Sequence, residues 1–260
     1  MRRAFAALTI GWASLTVGCA GQVSPEGRRL LATADQAYRQ GDDGRVVEAA
    51  GRFIKLHGRL EQAGEAYYLR GLARIRQGDP AVGEADLEKA LAATRRKDLT
   101  ALVHNALGEQ AFQRGNLAAA EKHYQGGLAN APARASPSDQ ALYRLATILQ
   151  RQGQWPEADV YFYRLAHLFE GSELAALAEE RVQARRWSIQ SAALTNAPAA
   201  QTMERRLRDQ GMDARQDRVL RDGKLTYLIR VGSYPTFEAA QADLARVRKI
   251  RPDAFAVPAR

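Results

Sequence analysis

The side chains that are able to do chemistry in this sequence are few and widely spaced. Two adjacent acidic pairs fall at a turn and on a helix, where they are predicted to be solvated rather than to act as an acid and a base: Asp42-Asp43 and Glu179-Glu180. The four histidines are predicted to lie apart on helices, none with a second His or Cys at metal-ligand spacing: His57, His104, His123 and His167. The sequence also contains no glycine-rich phosphate loop, nucleophile elbow or HExxH motif. It therefore predicts a protein that is not an enzyme and that holds no metal or cofactor.

The only cysteine, Cys19, follows a basic and then mostly apolar segment, residues 2–17, that is too short to span a bilayer. One cysteine makes no internal disulfide. The residues before it resemble a lipobox, with Thr16 at the position where Leu is usual. The resemblance implies a lipoprotein signal peptide over residues 1–19 and lipidation of Cys19. Because Ala20 follows, it also implies a lipid anchor in the bacterial outer membrane, facing the periplasm. The alternative is an ordinary secretory signal.

The net charge of +9 at pH 7 is spread along the chain, with basic residues alternating with acidic ones. A nucleic-acid-binding surface would concentrate its basic residues in a patch, so nucleic acid is not a predicted partner. The length of 260 residues suits one to three domains. Residues 20–26 are predicted to form a short tether before the first helix.

Residues 27–185 contain an internal repeat of helical hairpins. The copies span residues 27–60, 64–97, 101–134 and 139–172. The clearest copy has small residues where two helices would approach closely and large residues that would fill the gaps between repeats. Together with its turn and its closing proline, the order is Leu107-Gly108, Gly115-Asn116, Ala120, Tyr124, Leu128 and Pro132. This order resembles the tetratricopeptide repeat (TPR). The resemblance implies an α-solenoid of TPR helix hairpins, and Ser172–Arg186 is predicted to be its capping helix.

The TPR resemblance also implies a concave groove formed by the first helix of each hairpin. Aromatic rings beside amides would suit an extended peptide or a helix of a protein partner. The alternative is that these residues pack on the capping helix or are simply exposed. The groove positions are Tyr68, Leu72, Ile75, Asn105, Glu109, Phe112, Tyr143, Thr147 and Gln150.

The C-terminal stretch, residues 186–260, contains two similar units, each an apolar run followed by a helical pattern. Gly211 lies where a helix C-terminus favours glycine, and Asp222-Gly223 is typical of a hairpin turn. The predicted order is strand, helix, strand, strand, helix, strand (βαββαβ), a small α+β fold with helices on one sheet face. The predicted elements are the strands Trp187–Gln190, Ala214–Val219, Leu225–Val231 and Ala254–Val257, with helices at Ala197–Gln210 and from Phe237 onward.

Three pieces of this stretch resemble the SPOR domain, a small module of bacterial cell-envelope proteins. They are the aromatic-x-apolar-Gln run Trp187–Gln190, Gly211 after the first helix, and the Tyr-x-apolar-Arg-apolar-Gly run Tyr227–Gly232. The resemblance implies binding of peptidoglycan, typically of denuded glycan strands that have lost their stem peptides, often at division septa. The sequence departs from the pattern at three places. Residues 191–194 contain neither the glycine nor the aromatic ring that usually continue the first motif, Leu228 stands where the family often has Arg, and Thr226 stands where some members have an aromatic ring.

Side chains alternate between the two faces of a strand, so each face can be assigned from the sequence. Gln offers both donors and acceptors and Arg offers fixed donors, which suits the hydroxyls and amides of a sugar chain. The alternative is a solvated face without a ligand. The face predicted to pack under the helices has Trp187, Ile189, Tyr227, Ile229 and Val231. The face predicted to be open and glycan-binding has Ser188, Gln190, Thr226, Leu228 and Arg230.

These features together predict an outer-membrane lipoprotein that acts as an adaptor. Its SPOR-like domain would bind peptidoglycan, and its groove would bind a protein partner of the envelope or the division machinery, in cell division or envelope maintenance. The alternative is an assembly lipoprotein of a secretion or pilus system, in which the C-terminal domain binds protein.

Overall fold

The computed structural model of the chain describes residues 22–131, 138–221 and 223–260. Cys19, the predicted signal peptide over residues 1–19 and the start of the predicted tether lie outside these residues, so lipidation stays a prediction. None of the described helices is both long and apolar enough to cross a membrane.

The first part of the described chain is a helical arm of successive hairpins followed by one further helix, as the repeat predicts. Each hairpin packs its two helices against one another and against the next hairpin. The helices are α1 (Pro25–Gln40), α2 (Asp43–His57), α3 (Ala63–Arg76), α4 (Pro80–Ala93), α5 (Lys97–Gln113), α6 (Leu117–Asn130), α7 (Ser138–Arg151), α8 (Trp155–Leu168) and α9 (Glu173–Arg181).

A glycine in the left-handed region ends the first helix of every hairpin and makes the tight turn possible. A side chain at positive φ would be strained, and glycine is not. In the third hairpin the next residue, Asn116, then caps α6 by accepting a hydrogen bond from the amide of Ala119 at 3.2 Å. The four turn glycines are Gly41, Gly78, Gly115 and Gly153, with φ of 75°, 94°, 75° and 80°.

Small residues lie where two helices of a hairpin approach closely, as the repeat predicts. A Cβ atom placed on Gly71 of α3 would lie only 2.8 Å from the backbone oxygen of Gly83 on α4. In the next hairpin, a Cβ on Gly108 would lie 3.0 Å from the ring of Tyr124, which is itself buried. The close approach therefore depends on glycine, and large rings such as Tyr124 and Phe162 fill the space between hairpins.

The C-terminal part is a four-stranded antiparallel sheet with two helices, in the predicted βαββαβ order. Its strands lie in the order β2-β3-β1-β4, so β3 and β1 are the two central strands. The elements are β1 (Arg186–Leu194), α10 (Ala197–Asp209), β2 (Ala214–Arg221), β3 (Lys224–Tyr234), α11 (Phe237–Arg248) and β4 (Phe255–Ala259). β1 runs four residues beyond its predicted end, and its pairing with β3 is irregular between Gln190 and Ala192.

Both helices cover the same face of this sheet, as predicted. Ile189, Ile229 and Val231 are buried there against Leu207 of α10 and Leu244 of α11. The alternation of side chains along β1 and β3 therefore assigns the helix-covered face correctly.

Trp187 also lies on the helix-covered side, but it joins the sheet to the arm. Its ring packs edge-on against Phe237 of α11, with centroids 4.9 Å apart, and lies 5.9 Å from the ring of Trp155 on α8. Its indole N–H donates a 2.9 Å hydrogen bond to the backbone oxygen of Gln150 at the end of α7. The arm and the C-terminal domain thus share a small hydrophobic cluster of Trp155, Ala184, Trp187 and Ala240.

The segment that connects α9 to β1 forms hydrogen bonds with both the arm and the sheet. The amide of Gln183 donates to the carboxylate of Asp159 on α8 at 3.0 Å, and the amide of Arg185 donates to the oxygen of Ala259 on β4 at 2.9 Å. The segment between α9 and β1 is therefore tied to the arm at one end and to the sheet at the other.

Candidate functional site

A row of polar side chains crosses the sheet on the face opposite the helices. Arg230 of β3 is paired in register with Gln190 of β1 on one side and with Arg215 of β2 on the other. The guanidinium of Arg230 lies 3.2 Å from the carboxylate of Asp217, which also lies on β2. The structure therefore places predicted Gln190 and Arg230 side by side and adds Arg215 and Asp217, to which the sequence argument gave no role.

Three of the five residues predicted to form an open face are not accessible. Ser188 is 0% exposed, Leu228 is 1% exposed and Thr226 is also buried. The Ser188 hydroxyl is used within the sheet, since it donates to the backbone oxygens of Val231 and Gly232 at 3.3 and 3.1 Å. The expectation was wrong because the alternation along a strand assigns a side chain to a face of the sheet and does not determine whether neighbouring residues cover it there. Glycan binding by this face stays a prediction, carried by the row around Arg230.

A cavity of about 350 Å³ lies beside Arg230, the middle residue of this row, between the sheet and the arm. Arg186, Arg230 and Arg260 contribute three positive charges to its lining, and Asp217 and Glu180 contribute two negative ones. Glu180 belongs to α9, so the arm forms part of the wall. The cavity offers a dense set of fixed donors beside carboxylate acceptors, which suits a ligand rich in hydroxyl and amide groups.

The predicted groove residues of the second hairpin are partly buried against the arm's core. Tyr68, Leu72 and Ile75 pack on the cluster that contains Leu87 and Leu107. Burial, with Tyr38 nearby, raises the pKa of Tyr68 to about 12, so its hydroxyl stays protonated at all physiological pH values.

The groove residues of the third hairpin, on α5, are committed to neighbours on α6 and α7. Glu109 accepts two hydrogen bonds from the guanidinium of Arg144, both at 3.0 Å, and one from the hydroxyl of Tyr124 at 2.9 Å. Asn105 points at Gly127 of α6, where the lack of a Cβ atom makes room for its amide. The ring of Phe112 lies next to the guanidinium groups of Arg144 and Arg151.

The groove expectation is wrong for two residues of the fourth hairpin, because α9 covers them. Gln150 is 0% exposed and Thr147 is also buried. Arg181 of α9 donates to the Thr147 hydroxyl at 2.9 Å, and its backbone oxygen accepts from the Gln150 amide at 3.1 Å. Tyr143 remains partly buried, with the Arg181 guanidinium 5.4 Å from its ring centroid. The alternative stated above, packing on the capping helix, is what the structure has at this end.

Three arginines that the sequence argument did not single out converge here with aromatic rings. Arg144 and Arg151 lie two turns apart on α7, with their guanidinium groups 4.8 and 4.6 Å from the ring of Phe112. Arg151 also lies 4.6 Å from the ring of Phe237, at the start of α11 in the C-terminal domain. Arg181 approaches from α9. The spacing of Arg144 and Arg151 is visible in the sequence, but their meeting with Arg181 and Phe237 depends on the tertiary fold.

His104 and His123, which were predicted to be unrelated, are in contact. The α5–α6 hairpin brings their Nδ1 atoms to 3.2 Å of one another, because antiparallel helices align residues far apart in sequence. Burial lowers the pKa of both rings; the positive charge of Lys122 adds to this, while Glu84 and Glu88 oppose it at His123. No group of three potential metal ligands occurs among the residues that the structure describes.

Comparison with known proteins agrees with this architecture. Residues 183–258 match the family model of the SPOR domain. This is a family of peptidoglycan-binding domains associated with cell division. The C-terminal part of the chain is therefore a SPOR domain.

The arm shares its fold with solved structures. One comes from a functional characterisation of pilF of Pseudomonas aeruginosa. It is 15% identical to this chain, the alignment covers 59% of this chain and 66% of that chain, and the TM-score is 0.50. Another is a tetratricopeptide repeat protein from Parabacteroides merdae. It is 15% identical to this chain, the alignment covers 60% of this chain and 58% of that chain, and the TM-score is 0.51. The chain thus spans less than two thirds of either structure, and at this identity the likeness shows the fold alone. No curated protein matches the chain.

The chain therefore consists of a TPR-type helical arm followed by a SPOR domain. Neither TPR repeats nor SPOR domains are families of enzymes; both are families of binding or scaffold domains.

Proposed function

We propose that this protein is an adaptor of the bacterial envelope that binds denuded glycan strands of peptidoglycan through its SPOR sheet and a protein partner through its arm. The observation that carries the proposal is the row of Arg215, Arg230 and Gln190 across the SPOR sheet, whose middle residue, Arg230, lines the cavity shared with α9. The match of residues 183–258 to the SPOR family supports it.

The chemistry of the row suits a sugar chain. The ion pair with Asp217 orients the guanidinium of Arg230, and a planar guanidinium held in one orientation presents its donors in a fixed geometry. Gln190 adds one acceptor and two donors beside it. Glycan strands offer hydroxyl and amide groups of both kinds at regular intervals, so one strand can contact the row and the cavity together.

Lipidation of Cys19 completes the proposal by holding the adaptor to the outer membrane, with the arm and sheet in the periplasm. The expected result is that the full chain fractionates with outer membranes and incorporates labelled palmitate, and that Cys19→Ser abolishes both. Retention in the membrane by the Cys19→Ser variant would contradict a lipid anchor at this residue.

The glycan site is tested by co-sedimentation of the full chain with purified sacculi before and after amidase treatment. Binding is expected to rise with treatment, and to fall about tenfold or more in the double variant Gln190→Ala/Arg230→Ala, because two of the three donor side chains of the row are lost. A matched control, Gln201→Ala/Arg205→Ala, removes the same residue types from the exposed surface of α10 and should bind as the unaltered chain does. Equal losses in both variants would place the site elsewhere, and no binding to either preparation would refute the glycan function.

A further inference from the structure

The end of the arm groove carries more positive charge than its own carboxylates neutralise. Glu109 is the acidic partner of Arg144, and it is also hydrogen-bonded to Tyr124. Among the described residues, neither Arg151 nor Arg181 forms an ion pair with a carboxylate. The Nε atom of Arg151 is in addition buried without a hydrogen-bond acceptor.

Keeping these cations together without an anion is unfavourable. Burial lowers the pKa of both Arg151 and Arg181. The positive charge of Arg144 lowers both pKa values further, and that of Arg181 lowers the pKa of Arg151, so these like charges repel in a partly desolvated place. The negative charges of Glu238, for Arg151, and of Glu180, for Arg181, offset this only in part, since the pKa of both arginines stays lowered. A bound anion beside the accessible ends of these side chains would relieve the repulsion.

Aromatic rings hold the guanidinium groups in position without neutralising them. Arg151 lies between Phe112 of the arm and Phe237 of the SPOR domain, with 4.6 Å to each ring centroid, and Arg181 lies over Tyr143. Stacking on a ring fixes the plane of a guanidinium and leaves its edge, where the donors are, able to meet a carboxylate in a two-point contact.

We propose that this arginine–aromatic cluster (Arg144, Arg151, Arg181, Phe112, Tyr143 and Phe237) binds a carboxylate-rich segment of the protein partner. The proposal rests on the proposed function, because it names the chemistry of the partner that the arm would bind. The occupant is an acidic peptide because several guanidinium groups close together can each form a two-point contact with a carboxylate of the same segment. The adjacent rings can accept apolar side chains that lie between the acidic residues. The site is composite, since one of its rings belongs to the SPOR domain.

The test uses fluorescein-labelled hexaglutamate and hexaglutamine peptides and measures fluorescence anisotropy with the full chain. Hexaglutamate is expected to bind and hexaglutamine not to bind. The double variant Arg151→Gln/Arg181→Gln should weaken hexaglutamate binding at least tenfold. The matched control, Arg59→Gln/Arg164→Gln, removes two exposed arginines of the arm, so it changes the net charge equally and should stay within twofold.

Any of three results would overturn the proposal. If the control weakens binding as much as the double variant, the peptide responds to the overall charge; if hexaglutamate does not bind at all, the cluster is not a carboxylate site. Misfolding is checked by the melting temperature, which should not fall in Arg151→Met because a neutral side chain avoids the cost of burying charge. If Arg151→Met melts as the unaltered chain does and still binds hexaglutamate equally well, this result also counts against the proposal.

Sacculus binding separates this proposal from the proposed glycan function. Arg151→Gln/Arg181→Gln should sediment with amidase-treated sacculi as the unaltered chain does, while Gln190→Ala/Arg230→Ala should keep its affinity for hexaglutamate. If the arginine variant instead loses sacculi and the chain ignores hexaglutamate, the cluster binds wall polymer, and the acidic-peptide assignment is refuted while the glycan function stands.

Discussion

Replacing Trp187 with alanine should destabilise the arm and the SPOR domain together, because this ring is packed against both. It is 2% exposed, touches the rings of Trp155 and Phe237, and donates the indole hydrogen bond to the oxygen of Gln150. Removal leaves a cavity at the junction, and the backbone oxygen of Gln150 keeps only its hydrogen bond from the amide of Gly153.

The expected cost follows from these two losses. Truncating a buried Trp to Ala typically costs about 3–5 kcal/mol, with the spread set by how far the surroundings collapse into the cavity. For a chain of this size each kcal/mol lowers the melting temperature by about 2–4 °C, so a cost of about 4 kcal/mol corresponds to about 8–16 °C. Trp187→Phe keeps a ring but not the N–H, and the lost hydrogen bond alone should cost about 1–2 kcal/mol.

The assay is thermal unfolding followed by far-UV circular dichroism, with trypsin digestion as a second measurement. Trp187→Ala should melt about 8–16 °C lower and become cleavable after Arg185 and Arg186, next to the altered residue. Tyr163→Ala removes a ring that is 52% exposed, so it serves as the control and should shift the midpoint by less than about 2 °C. A shift of Trp187→Ala as small as that of the control would show that the ring is not the packed junction described above.

Three further perturbations test other parts of the structure. Gly71→Ala should destabilise the arm by about 1–3 kcal/mol, because its Cβ would meet a backbone oxygen of the facing helix, and chemical denaturation would measure the loss. The folded chain should also lose stability as pH falls below about 6.5, since burial lowers the pKa of His104 and His123 and the unfolded chain then binds more protons. Melting at pH 7.5 and 5.5 should show a larger drop for the unaltered chain than for His104→Gln, and an equal drop would contradict the assignment. Asp217→Asn should weaken sacculus binding several-fold by releasing the guanidinium of Arg230, whereas undiminished binding would show that the ion pair does not position it.

The helical hairpins and the strand order could be predicted because their signals are local. Turn glycines such as Gly41 and Gly115 end a helix for a reason of backbone conformation that needs no partner. The alternation along Tyr227–Gly232 likewise assigns side chains to the two faces of its strand before any neighbour is known.

Accessibility on the SPOR sheet could not be predicted in the same way. Whether Leu228 is exposed depends on which strands lie beside β3, and the order β2-β3-β1-β4 encloses it on both sides. The role of Arg215 was missed for the same reason, since only the pairing of β2 with β3 brings it next to Arg230. The contact between His104 and His123 depends in turn on the register of two helices, which the sequence leaves open.

The two candidate binding sites meet at α9, so the position of this helix affects the geometry of both. Glu180 lines the cavity at the SPOR sheet, and the next residue, Arg181, faces the groove cluster. Successive residues of a helix point about 100° apart, so one turn of α9 contributes to both surfaces. A shift of α9 that moved Arg181 toward an anion would also move Glu180 relative to Arg230. The packing of Trp187 and the hydrogen bonds of Gln183 and Arg185 fix the ends of this connection, and the sheet and the groove are thereby held in one relative position.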